Sequence, residues 1–157
     1  MKSATVNEIK LELQQLKPKE LVDICLRLSR FKKENKELLT YLLFEQIDED
    51  AFVRQLKDEI TLAFEEMNAS HLYFAKKTLR KIVRTINKYS RYSSVKETEI
   101  ELRLHFCQTL KESGIPYEQN AVILNLFNGQ KKKLQDLVAS LHEDLQYEYN
   151  KRIKSAT

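Results

Sequence analysis

Apolar residues recur every three or four positions along nearly the whole chain, the spacing of one face of an α-helix. Polar and charged residues fill the positions between them, and no stretch alternates convincingly in the two-residue period of a strand. The 157 residues include only two glycines and two prolines, so we expect few tight turns and little β-hairpin chemistry. The pattern predicts an all-α fold.

Signals that start a helix appear at intervals along the first half of the chain. Thr5 and Glu8 form a capping-box pattern, and Pro18 suits the first position of a second helix. Further N-terminal caps are expected at Asn35, Asp48 and Ser70. The expected inward face of the second helix consists of Leu21, Ile24, Cys25, Leu28 and Phe31.

Signals that end a helix divide the second half. Ser93 and Ser94 are expected to break a long basic helix, and Gly114 is expected to close the next one. Asn128-Gly129 predicts the end of a short helix over 121–127. The last helix is then expected from Lys131 to about Ile153, with a length of roughly 35 Å.

These boundaries predict seven or eight helices in one domain over residues 1–157. Because the loops are short, successive helices should pack as antiparallel hairpins. No clean internal repeat is visible, and both a short HEAT-like α-solenoid and a closed bundle fit the pattern.

Two stretches carry a resemblance to a known family. They are LKPKELVDICLRLSRFKKENKELLTYLLF, starting at Leu16, and SRYSSVKETEIELRLHF, starting at Ser90. With the acidic and basic helices between them, they resemble a family of small bacterial all-helical proteins of unknown function. The resemblance covers most of the chain and implies a bacterial cytosolic protein, but it includes no chemical motif and implies no site residues.

The thiols and the N-terminus agree with a cytoplasmic location. Cys25 and Cys107 are the only cysteines, too few for a disulfide framework, and Cys25 is expected to be a small buried hydrophobe. The N-terminal segment lacks the apolar core of a signal peptide, and no apolar run approaches the length of a membrane span. We therefore expect no membrane association.

The sequence offers little for catalysis or cofactor binding. Its two glycines are isolated, which excludes the glycine-rich loops that bind phosphates in P-loop and Rossmann proteins. Glu101 and His105 lie one helical turn apart, but a surface hydrogen bond is the simpler interpretation. Cys107 lies on a different side of the helix from His105, so that histidine is a poor base for it. We predict no enzyme activity, no cofactor and no metal.

Two neighbouring predicted helices have net charges of opposite sign. Glu45 to Glu66 holds eight acids and two cations, whereas Met67 to Lys96 holds eight cations and no acid. On a helical wheel the cations of this basic helix, residues 71–92, all avoid the apolar stripe. The candidate binding residues are Lys77, Arg80, Lys81, Arg84, Lys88 and Arg91. Tyr73, Tyr89 and Tyr92 are interleaved and could stack on bases if exposed.

These cations have three interpretations: a solvated or internally paired surface, a nucleic-acid site, or a site for an acidic protein. Our leading hypothesis is a non-enzymatic helical-hairpin protein that binds another macromolecule, most simply a protein. The alternative is sequence-tolerant nucleic-acid binding through the basic helix.

Self-association is a separate hypothesis. Tyr147, Tyr149 and Ile153 spread over a wide arc of the last helix. Either the helix is clasped on both sides within the monomer, or two copies pack this helix against each other in a homodimer.

Overall fold

The computed structural model describes residues 2–69 and 71–157. All regular structure in these residues is helical, which confirms the all-α prediction. The expected cap Ser70 lies outside the described residues. Within the described chain, no helix combines the length and the apolarity needed to cross a membrane.

The internal contacts divide the chain into two compact units, with the boundary between Phe44 and Glu45. Each unit has its own helices and its own packing. The expectation of a single domain over residues 1–157 stays a prediction, as do the solenoid and the closed bundle.

The described residues of the first unit form three α-helices, which are α1 (Val6–Gln14), α2 (Pro18–Phe31) and α3 (Lys33–Thr40). The capping box at α1 is confirmed, since the Glu8 carboxylate accepts from the Thr5 amide at 2.7 Å. Pro18 is the first residue of α2, as predicted. A π-helical turn, Tyr41–Glu45, follows α3.

Two predictions in the first unit are wrong. Asn35 does not cap α3, which begins two residues earlier; its side-chain amide instead donates to the Leu28 carbonyl at 2.9 Å. Cys25 is exposed, and no residue of α2 is buried. Periodicity correctly finds an apolar face on α2, but α3 packs against only part of it, so Leu28 stays 55% exposed.

In the part of the second unit that the structure describes there are five α-helices, which are α4 (Glu49–Glu65), α5 (Leu72–Ser93), α6 (Lys96–Glu112), α7 (Ala121–Ala139) and α8 (Glu143–Ala156). Asp48 caps α4 by accepting from the Ala51 amide at 2.9 Å, as predicted. The apolar face of α4 is buried, and it consists of Phe52, Val53, Leu56, Ile60 and Phe64.

Two predicted stop signals in the second unit are confirmed. Ser94 ends α5 in the left-handed conformation, with φ 58°. Gly114 follows the end of α6 and also has a positive φ, 72°, which a residue without a Cβ adopts at little cost.

Helix α6 is the centre of the second unit, because α4, α5, α7 and α8 all pack against it. A helix covered from several sides is buried around most of its circumference. Eight residues of α6 are buried, and they lie on more than one face of the helix: Thr98, Ile100, Leu102, Arg103, Leu104, Phe106, Cys107 and Leu110.

Arg103 is the largest fully buried side chain of the described residues, at 1% exposure. Its Nε donates to Glu99 at 2.8 Å, and its Nη2 donates to the Asn87 side-chain oxygen at 2.7 Å. Its Nη1 donates to the side chain of Gln130. One guanidinium therefore joins α5, α6 and α7, and these bonds offset the cost of removing its charge from water.

The boundary between the last two helices differs from the prediction. Asn128 and Gly129 lie inside α7, which continues to Ala139. A glycine inside a helix costs about 1 kcal/mol, and burial of Phe127 and Leu134 on either side of it outweighs that cost. The chain breaks instead after Ala139, where the Gln146 side chain donates to the Leu141 carbonyl at 2.8 Å.

The C-terminal helix is consequently shorter than expected, and it is packed. Tyr149 and Ile153 are 8% and 5% exposed within the single chain. They are therefore unavailable for the dimer seam that the sequence suggested, and only Tyr147 of that group is exposed. A homodimer as such stays a prediction.

Arg103→Ala is expected to lower the free energy of unfolding by about 3–5 kcal/mol, because the buried Gln130 and the half-buried Glu99 and Asn87 then lose their donor. Urea unfolding followed by circular dichroism measures the change. The matched control is Arg54→Ala, which removes an exposed arginine of α4 and should stay within about 0.5 kcal/mol. An equal effect of both substitutions would contradict the assigned role of Arg103.

Candidate functional site

Helix α5 presents two chemically different faces. Its inward face buries Ala75, Leu79, Ile82, Val83 and Ile86. Its opposite face carries the cations, and Lys77, Arg80, Lys81, Arg84 and Arg91 are all exposed. The prediction that the cations avoid the core is therefore confirmed for these five candidates.

Three of the six candidate residues come together in one groove. Lys77, Arg80 and Arg84 line it, and Lys76 of the same helix joins them. Tyr73 in the first turn of α5 and Val122 in the first turn of α7 complete the lining. We call this open depression, of about 380 Å³, the basic groove.

The other three candidates lie elsewhere. Lys81 lines a second groove, between α4 and α5, together with Glu59 and Glu66. Lys88 is half-buried, with its ammonium 4.5 Å from the centroid of the Tyr89 ring. Arg91 is exposed in the last turn of α5. The six candidate residues are thus divided among several surroundings.

The cations of the basic groove are not neutralised by the acidic helix. Among the described residues, none of Lys76, Lys77, Arg80 and Arg84 forms an ion pair. The exposed α4 carboxylates of Asp58, Glu59 and Glu65 likewise form none with any described residue. The groove therefore keeps its positive charge exposed to solvent.

Two helix N-termini add to this charge. The first turns of α5 and α7 contain no acidic residue, whereas each of the other six helices has at least one there. A helix N-terminus carries about half a positive charge, which an acidic residue in the first turn would offset. Both uncompensated first turns reach the basic groove, through Tyr73 and Val122.

Two residues of the groove, Lys76 and Val122, were not among the predicted site residues. Lys76 is only half-exposed, and the helical wheel gave no reason to prefer it to its neighbours. Val122 belongs to a different helix from the cations, and it joins the groove because α5 and α7 both pack on α6 and also contact each other. The absence of acids from the first turn of α7 was the one signal in the sequence.

The residues considered for chemistry are engaged in the fold. Glu101 accepts from the Lys57 ammonium at 2.6 Å and from Arg152 Nη2 at 2.9 Å, so its carboxylate joins α4, α6 and α8. His105 Nε2 lies 2.8 Å from the Thr61 hydroxyl. Because that hydroxyl already donates to the Lys57 carbonyl, we assign the proton to Nε2.

The surroundings of Glu101, His105 and Cys107 determine the pKa of each side chain. Partial burial would raise the pKa of Glu101, but the hydrogen bonds and charges of Arg152 and Lys57 outweigh it and lower the pKa to about 2. Burial, with the charge of Lys57, lowers the pKa of His105. Burial raises the pKa of the Cys107 thiol to about 12, so it stays protonated at neutral pH.

Metal-ligand geometry is absent from the described part of the chain. No group of three or more His, Cys, Asp or Glu side chains converges there. Glu101 and His105, the one candidate pair in the sequence, bind other side chains instead.

Comparisons with known proteins add no identity: no family model, no curated protein and no solved structure matches this chain. The resemblance to small bacterial helical proteins therefore stays a prediction.

Glu101→Gln is expected to remove one source of pH-dependent stability. The carboxyl has an ordinary pKa of 4.5 and a folded pKa of about 2, so it stabilises the fold above about pH 4.5. That contribution is lost as the pH falls from 4.5 towards 2. Urea unfolding at about pH 7, 4 and 2.5 should show the variant less stable at neutral pH and the difference shrinking in acid. Glu65→Gln, an exposed control on α4, should show no such difference at any pH.

Proposed function

We propose that this chain is a non-enzymatic binding protein whose basic groove binds nucleic acid. The observation that carries the proposal is the convergence of Lys76, Lys77, Arg80 and Arg84, without ion pairs among the described residues, on one open groove. A row of cations that contacts phosphates releases condensed counterions, and this release supplies most of the affinity of sequence-tolerant binding.

The shape of the surface agrees with a linear polyanion. Lys77, Arg80 and Arg84 follow one another at intervals of three and four residues, so they share one face of α5. From the first to the third, the row extends about 10 Å along the helix axis. An extended strand of phosphates can contact such a row at successive positions.

Charge reversal tests this function. Arg80→Glu with Arg84→Glu should reduce the affinity for a labelled DNA of about 12 nucleotides at least roughly tenfold, as measured by fluorescence anisotropy at low salt. With four phosphates contacted, log affinity of the wild type should fall against log salt with a slope of roughly −3 to −4.

The matched control is Lys132→Glu with Lys133→Glu, which makes the same change in net charge at exposed positions outside the groove lining. It should bind within about threefold of the wild type. No binding by the wild type at micromolar concentration, or equal losses in both double variants, would rule out the groove as the site.

A second candidate function, binding of another protein, rests on a different surface. Cys25, Leu28, Leu38 and Leu42 line an apolar groove of about 240 Å³ between α2 and the α3 region. We call this surface the hairpin groove. Large exposed apolar surfaces mark sites of protein association. The surrounding segment, residues 17–40, has seven cations against four acids. The partner that fits it is therefore an amphipathic helix with an acidic polar face.

If this second candidate function is correct, binding of the partner protein depends on the hairpin groove. The wild-type chain should retain a protein from a bacterial lysate at low salt, and Leu28→Asp should lose it because a carboxylate then lies in the apolar contact. Tyr147→Asp, at a 79% exposed position of α8, is the control and should retain it. Loss of the partner in both variants, or in neither, would contradict docking at this groove.

A further inference from the structure

Aromatic rings mark one end of the basic groove. Tyr73 lines the groove and is 71% exposed, and the adjacent Phe74 is 51% exposed. The two rings meet edge to face, with centroids 5.4 Å apart and an interplanar angle of 79°. Phe74 also meets His71 edge to face at 6.1 Å. These contacts favour one orientation of an exposed ring.

The fold leaves most of the Tyr73 side chain open to solvent. A side chain that keeps most of its surface in water contributes little hydrophobic stabilisation. The other two tyrosines that the sequence placed on this helix are different: Tyr92 is buried and Tyr89 is half-buried. Only Tyr73 of the three is therefore available to a ligand in the basic groove.

The cations of the basic groove and the ring of Tyr73 together form a surface that suits both the phosphate backbone and a base of a nucleic acid. Tyr73 and Arg84 are eleven residues apart on α5, a distance of about 16 Å along the axis, with Lys76, Lys77 and Arg80 between them. Proteins that bind single strands combine such a basic track with aromatic side chains on which bases stack.

We propose that the basic groove binds single-stranded nucleic acid in preference to duplex, with Tyr73 stacking on one base. This inference rests on the proposed function. The bases of a duplex are stacked inside it and must be flipped out to reach a protein ring, at an energetic cost that a single strand does not bear.

The first experiment compares a DNA of about 12 nucleotides with its duplex by fluorescence anisotropy. The wild type should bind the single strand more tightly, and Tyr73→Ala should weaken that binding by roughly 5- to 100-fold while leaving duplex binding unchanged. Tyr73→Phe keeps the ring and should bind within about threefold of the wild type. Tyr147→Ala removes a similarly exposed tyrosine of α8 and should have no effect.

A second measurement reports stacking directly. The chain contains no tryptophan, so Tyr73→Trp introduces a single reporter at the site. Its fluorescence should be quenched by the single strand and not by the duplex at the same occupancy.

The outcomes separate this inference from the proposed function. If Tyr73→Ala binds as tightly as the wild type while Arg80→Glu with Arg84→Glu does not, the groove binds nucleic acid but the stacking inference is wrong. Equal affinity for single strand and duplex would also overturn it. Polyglutamate that displaces the oligonucleotide at equal charge concentration would show a general site for acidic chains, and would overturn both.

Discussion

The burial of α6 is the constraint on which the second unit depends. Four helices pack around it, and its buried residues include a charged one, Arg103. The guanidinium requires acceptors, which α5, α6 and α7 supply through Asn87, Glu99 and Gln130. Burying an unpaired charge would cost several kcal/mol, so these three helices must keep a fixed alignment along their axes.

That alignment also creates the basic groove. Because α5 and α7 both pack on α6, residues from the first turns of both helices, Tyr73 and Val122, line the same depression. The inward face of α5 is occupied by apolar residues such as Leu79 and Ile86. Its cations consequently project outward, where no described carboxylate pairs with Arg80 or Arg84.

The two units differ in how they use their apolar residues. In the second unit the amphipathic faces meet one another, and residues such as Leu56 and Leu134 are almost completely buried. In the first unit, α1, α2 and α3 bury no residue, and Phe31 stays 76% exposed. A surface of this kind is the basis for proposing a protein partner as a second candidate, in addition to nucleic acid.

The sequence by itself determined the helical class, the capping box at Thr5 and the outward position of the α5 cations, because these depend on local periodicity and local hydrogen bonds. Only the tertiary structure decided which apolar faces are covered, and Cys25 was predicted wrongly for that reason. The tertiary structure also decided that α7 continues past Gly129, because packing outweighed a local stop signal there. The grouping of Lys76 with Val122 depends on contacts between distant helices, which no local pattern contains.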